Sequence, residues 1–161
     1  MQTLNFPYPP ARLRKMEDHI SVFDVVRKKW LVLTPEEWVR QHLILYLNKD
    51  KSCPLTLMAV EKALEFNGMK RRTDLVIHSN TGEALLLAEC KAPGIAIGRD
   101  VFDQAARYNM TLEVPFLLVT NGLEHFCCRI DRKKQSFEFL KDIPTYEEMI
   151  ATANMVNSME G

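Results

Sequence analysis

The stretch Ala84-Leu-Leu-Leu-Ala-Glu-Cys-Lys91 constrains this chain more than any other segment. Five apolar residues in a row precede Glu89, which suits a strand covered on both faces in the middle of a sheet. Pro93 and Gly94 end it. Residues two apart on a strand face the same way, so Glu89 and Lys91 project together while Cys90 packs behind. An ionised carboxylate left alone in apolar surroundings costs several kcal/mol, so a partner for these charges is required.

The neighbouring segments show what surrounds that strand. Asn67-Gly68 separates Leu55–Phe66 from Met69–His78, a strong signal for a hairpin turn. A second turn at Asn80-Thr81-Gly82 leads into the central strand. Upstream, Thr34 reads as a helix N-cap, Pro35 as the first helical residue and Glu37 as the partner in a capping box. That helix is predicted to run to about Asn48, with Val39, Leu43, Tyr46 and Leu47 on its apolar stripe. A second helix is predicted over 99–112, with Val101, Ala105, Tyr108 and Leu112 as its stripe. Pro115–Thr120 reads as another buried strand, followed by two amphipathic strands at His125–Ile130 and Ser136–Leu140. The fold class is therefore α/β: an αβββαβ core, a mixed central sheet flanked by helices, and an added C-terminal β-hairpin.

Outside this core the signals are weaker. Residues 1–33 read as a proline-rich arm (Pro7, Pro9, Pro10) and a short strand pair, Ile20–Val26 with Trp30–Leu33. Residues 34–145 form the main domain, and 146–161 a tail with a short helical patch at Tyr146–Ala151 before it frays.

Composition removes several classes. At 161 residues one domain can bury roughly 70% of its unfolded surface. No run of about 18 apolar residues exists and the N-terminus lacks a basic-then-apolar leader, so a soluble cytoplasmic protein with no membrane contact is expected. The four cysteines (53, 90, 127, 128) form no Cys-x-x-Cys pair, and the adjacent two should face opposite sides of a strand; buried reduced thiols are expected. No Gly-x-Ser-x-Gly elbow, His-rich metal motif or phosphate-binding Gly-x-x-x-x-Gly-Lys loop occurs. Net charge is zero, from 21 basic and 21 acidic residues, which counts against tight unaided nucleic-acid binding. The positive charge is clumped, as at Lys70/Arg71/Arg72 and Arg27/Lys28/Lys29.

The chemistry lies in three residues. Asp74 sits within Arg72-Thr-Asp-Leu-Val-Ile77, and an antiparallel turn at 80–82 would bring it to Glu89 and Lys91. Two carboxylates at a strand end suit a hard octahedral cation such as Mg²⁺, with waters and a substrate phosphate completing its shell. The cation acidifies a bound water and neutralises phosphate charge, and a lysine beside it orients the water or stabilises the transition state. This layout is that of a phosphodiesterase site.

With these residues in view, the chain resembles the PD-(D/E)xK nuclease superfamily, and more narrowly the N-terminal nuclease domain of type I restriction enzyme R subunits. Arg71–Ile77, Leu87–Pro93, Gln104–Tyr108 and Leu118–Gly122 carry the similarity, which spans about 34–140. The resemblance implies a restriction-endonuclease-like fold. It implies Asp74 and Glu89 as Mg²⁺ ligands, with Mn²⁺ as a substitute, and Lys91 serving the attacking water. It implies a supporting role for Gln104 and Tyr108, which match a Gln-x-x-x-Tyr motif. It also implies a glutamate from the first helix at the metal, Glu36 or Glu37, with a slight preference for Glu37. Thr73 stands where the superfamily name has proline. DNA would be the substrate, in a restriction or repair setting. Because a motor loop is absent from the sequence, a separate motor or specificity subunit, or a homodimer, would be the protein partners. The alternative is a non-catalytic nucleic-acid-binding or assembly module on the same fold.

Overall fold

The computed structural model describes residues 1–7 and 11–161, so Pro9 and Pro10 of the expected arm lie outside the described residues. Two sheets are built. Strands β1 (Leu13–Lys15), β2 (Ile20–Asp24) and β3 (Lys29–Val32) form an antiparallel three-stranded sheet. The sequence indicated only β2 and β3, since all three side chains of β1 are exposed and leave no alternation to read.

The larger sheet holds β4 (Met58–Phe66), β5 (Met69–His78), β6 (Ala84–Cys90), β7 (Phe116–Thr120), β8 (His125–Asp131) and β9 (Ser136–Phe139), adjacent in chain order. Only β6 and β7 run parallel, joined through helix α2 (Arg99–Leu112); the other neighbours are antiparallel. Asn67 and Gly68 both take positive φ, 49° and 78°, as the two-residue turn between β4 and β5 requires. Among the described residues the fold is mixed α/β, with a mixed six-stranded sheet and three α-helices.

Alternation along the strands sorts the core into two layers. Leu86, Ala88 and Cys90 of β6, Leu118 of β7 and Cys127 of β8 pack with helix α1 (Pro35–Lys49) through Val39, Leu43, Ile44 and Leu47. Leu117, Val119 and Cys128 pack on the other face against Phe102, Ala105 and Ala106 of α2. The two adjacent cysteines therefore do face opposite layers, and all four thiols are buried and unpaired.

Three helical details depart from expectation. Thr34 caps α1 by accepting from the Glu37 backbone N–H at 3.1 Å, but the reciprocal half of the capping box is absent because the Glu37 side chain turns inward. The buried stripe of α2 is Phe102, Ala105, Ala106 and Asn109, one residue on from the predicted one. Asn109 is tolerated there because its amide donates to the Phe116 carbonyl at 3.1 Å. The tail is not frayed after Ala151: helix α3 runs Tyr146–Glu160 from a full capping box between Thr145 and Glu148. Met149 of α3 is fully buried in the α1-side core.

Candidate active site

Strand pairing sets the site. The β5–β6 ladder runs antiparallel with Leu75 opposite Ala88; one residue further along lie Asp74 and Glu89. There the strands are tied by a side chain instead: Asp74 Oδ2 accepts from the Cys90 backbone N–H at 2.7 Å. Asp74 Oδ1 accepts from Arg40 Nη2 of α1 at 3.0 Å. The Glu89 carboxylate pairs with Arg71, whose guanidinium stacks 4.2 Å from the centre of the Tyr108 ring on α2. Asp74 is thus held from the α1 side and Glu89 from the α2 side. Burial pulls the pKa of Arg71 down, while Tyr108 and the nearby Asp74 charge favour its cationic form.

The partner required by the buried charges is arginine. Arg40 is 6% exposed, and its Nη1 donates to Glu37 Oε2 at 2.6 Å. Burial weighs against its charge, but Glu37, Asp74 and Glu61 more than offset this and raise its pKa. Arg27, from the β2–β3 hairpin, bonds Asp24 at 2.6 Å, Glu61 at 2.7 Å and Glu37 at 3.2 Å. Gln41 of α1 donates to both Asp24 and Glu37, at 3.0 and 2.8 Å. Glu61 lies in β4 between two residues paired with Leu75 and Thr73, and adopts φ 52°, a conformation that costs a non-glycine residue roughly 1 kcal/mol or more. Its carboxylate is also within 3.7 Å of Arg40 and 3.2 Å of Arg72. Charge attraction from these arginines outweighs burial and lowers its pKa.

The predicted residues therefore stand as follows. Asp74 lies midway along β5, where the β5–β6 ladder ends, and Glu89 lies one residue before the end of β6, with Arg71 paired to Glu89. Lys91 follows β6, and its N–H extends the β6–β7 ladder by donating to Thr120 O at 2.8 Å. Among the described residues no carboxylate lies within 4 Å of its ammonium. Tyr108 reaches the site through Arg71, whereas Gln104 is exposed. Glu37 is separated from Asp74 by the Arg40 guanidinium, and both its oxygens are engaged by Arg27, Gln41 and Arg40. Glu36 is exposed. Arg27, Arg40, Gln41, Glu61 and Arg71 escaped the sequence reading. The available signals were two basic clumps, Lys70-Arg71-Arg72 just before Asp74 and Arg27-Lys28-Lys29.

No group of three or more His, Cys, Asp or Glu side chains suited to a metal occurs among the described residues. Mg²⁺ does not need one, since it commonly uses one or two carboxylates with water and phosphate oxygens. Asp74 and Glu89 offer that oxygen-only set, and a cationic guanidinium already sits at Glu89 and within electrostatic reach of Asp74. The donors fit the ion.

Comparison with known proteins agrees with the fold. A fragment assigned to the HsdR subunit of a type I restriction enzyme from Vibrio vulnificus YJ016 superposes with a TM-score of 0.53 at 18% identity, over 74% of this chain. The match covers 25% of that longer chain. No curated protein matches the sequence. The family model for the type I restriction enzyme R protein N terminus matches residues 35–144, which takes in α1, every strand of the large sheet and α2. The chain belongs to the family of type I restriction enzyme R protein N termini.

Proposed function

We propose that this chain is a Mg²⁺-dependent DNA endonuclease domain with a restriction-endonuclease-like core. The observation that carries the reading is the β5–β6 register, which sets Asp74 beside Glu89 where the ladder ends, with the Arg71 guanidinium on the Glu89 carboxylate. Asp74 and Glu89 would hold Mg²⁺, or Mn²⁺ in its place. When bound, the ion supplies an acidified water and neutralises charge on the scissile phosphate.

The chain's own residues do the rest. The Cys90 N–H and Arg40 fix both Asp74 oxygens, so the carboxylate is oriented before any ligand arrives. Lys91, two residues after Glu89 and free of carboxylate partners among the described residues, orients the water or stabilises the charge that develops on phosphate oxygens. Tyr108 supports the site through Arg71. In this reading Glu37 serves Arg40 rather than the metal, because the Arg40 guanidinium stands between it and Asp74.

The substrate would be DNA, with a separate motor or specificity subunit as partner and the cytoplasm as the setting. No helix among the described residues is long and apolar enough to cross a membrane. The test is plasmid cleavage across Mg²⁺ and Mn²⁺ by the protein and its Asp74→Ala and Lys91→Ala variants. Metal-dependent cutting lost in both variants supports the reading; cutting that persists unchanged in both removes it.

A second reading, a nucleic-acid-binding or assembly module without catalysis, is favoured by the zero net charge. DNA affinity with no cutting in either metal would select it.

A further inference from the structure

Around the five carboxylates of the site, and apart from the exposed Arg72 at its rim, the arginines Arg27, Arg40 and Arg71 are not held equally. Arg40 is almost fully buried and clamped between Glu37 at 2.6 Å and Asp74 at 3.0 Å; its departure would leave Asp74 with no ion-pair partner among the described residues. Arg27 is fixed by three carboxylates. Arg71 differs. Among the described residues its ion-pair partner is Glu89 alone, and its flat face rests on Tyr108. Of the three, it alone can surrender its carboxylate and stay anchored.

We infer that Arg71 is an exchangeable cation: it neutralises Glu89 until a divalent ion takes that carboxylate, and its freed guanidinium then binds a phosphate oxygen of the DNA backbone. The inference rests on the reading that Asp74 and Glu89 are metal ligands. A divalent ion and a guanidinium on one carboxylate repel each other, so binding of the ion favours release of the guanidinium. Displacement leaves the stack on Tyr108 in place, since a cation over a ring is attracted to its face independently of Glu89. The planar fork that leaves a carboxylate is equally matched to phosphate, which a lysine in the same place would not be. No bond is made or broken in the exchange; one ion pair is traded for another.

The exchange makes opposite demands on one substitution. Arg71→Ala removes the competitor for Glu89 and also the phosphate partner. Mn²⁺ binding, read from loss of the free-ion electron paramagnetic resonance signal, should tighten roughly tenfold in Arg71→Ala. Affinity for a DNA duplex in Ca²⁺ should fall by roughly the same factor, with a shallower salt dependence. Arg71→Lys should restore the weaker metal affinity but little of the DNA affinity. Arg71→Gln takes the place of the alanine variant if circular dichroism shows the latter unfolded. Asp74→Asn separates the two levels. If it abolishes Mn²⁺ binding while the folded Arg71 variants bind metal no tighter than the parent, the exchange is overturned and the metal site stands. If neither the parent protein nor any Arg71 variant binds Mn²⁺, both fall.

Discussion

Arg40 on α1 and Asp74 on β5 form an ion pair at 3.0 Å that joins the first helix to the strand carrying the candidate metal ligand. The same guanidinium holds Glu37 at 2.6 Å, and Glu37 in turn accepts from Arg27 of the small N-terminal sheet at 3.2 Å. A continuous relay of charge therefore runs from the N-terminal sheet through α1 to the site.

Removing Arg40 leaves Glu37 and Asp74 without their shared counter-charge in a buried setting. Arg40→Met should cost about 3 kcal/mol of unfolding free energy. Denaturant titration checks this; a loss under about 1 kcal/mol would show that the relay is dispensable for stability.

Gly122 couples the N-terminal arm to α1. It sits at φ 84°, and a Cβ there would come within 2.8 Å of Leu4 Cδ2 and 3.2 Å of Val39 Cγ2. Gly68 has a similar φ of 78° but open space around it. Gly122→Ala should therefore destabilise by about 2 kcal/mol or more, and Gly68→Ala by only about 1 kcal/mol. Equal melting temperatures for the two variants would contradict the packing argument.

Acid should unfold the protein in two stages. Burial lowers the pKa of His42, His78 and His125 below the ordinary imidazole value of 6.5. A depressed base is neutral when folded, so its contribution is present above pH 6.5 and is lost as pH falls toward the folded values. Asp24 follows at lower pH. Burial pushes it up, but the Val26 and Arg27 N–H groups, the Arg27 guanidinium and Gln41 outweigh this and hold it below 3.8. Its stabilisation is present above 3.8 and lost as pH falls through the depressed folded value. Unfolding free energy measured against pH should decline below about 6.5 and steepen below about 4, with the second limb shallower in Asp24→Asn.

The cysteines should be silent. Cys53, Cys127 and Cys128 are buried, with burial pushing each thiol up to about 12, and the fully enclosed Cys90 is pushed higher still. A disulfide reagent at neutral pH should label none of the four in the folded protein and all four in denaturant. Rapid labelling of the folded protein would show that a core strand opens.

The parts legible in the sequence were those whose signal is local. Thr34 with Pro35, Asn67 with Gly68 and the apolar run before Glu89 each mark a boundary within a few residues, and α1, the β4–β5 hairpin and β6 lie where they indicate. Helix α3 was shortened because its outer residues, Met155, Val156 and Met159, are exposed and show no periodicity; the Thr145–Glu148 capping box was the overlooked signal. The stripe of α2 shifted because a buried asparagine does not read as core without its Phe116 carbonyl partner. Within the site, Asp74 and Glu89 were legible because one turn joins their strands. The arginines were not: Arg27, Arg40 and Arg71 come from a hairpin, a helix and a strand, and only tertiary packing brings Arg27 and Arg40 to Glu37 and sets Arg71 on Glu89.

The proposed function requires Asp74 and Glu89 to share one divalent ion. Crystals soaked in Mn²⁺ and measured at the manganese absorption edge test that directly. An anomalous peak at about 2.1 Å from oxygens of both carboxylates, with Arg71 moved off Glu89, is the predicted result. A soaked crystal with no peak there, or with the ion on neither carboxylate while Arg71 still holds Glu89, would contradict it.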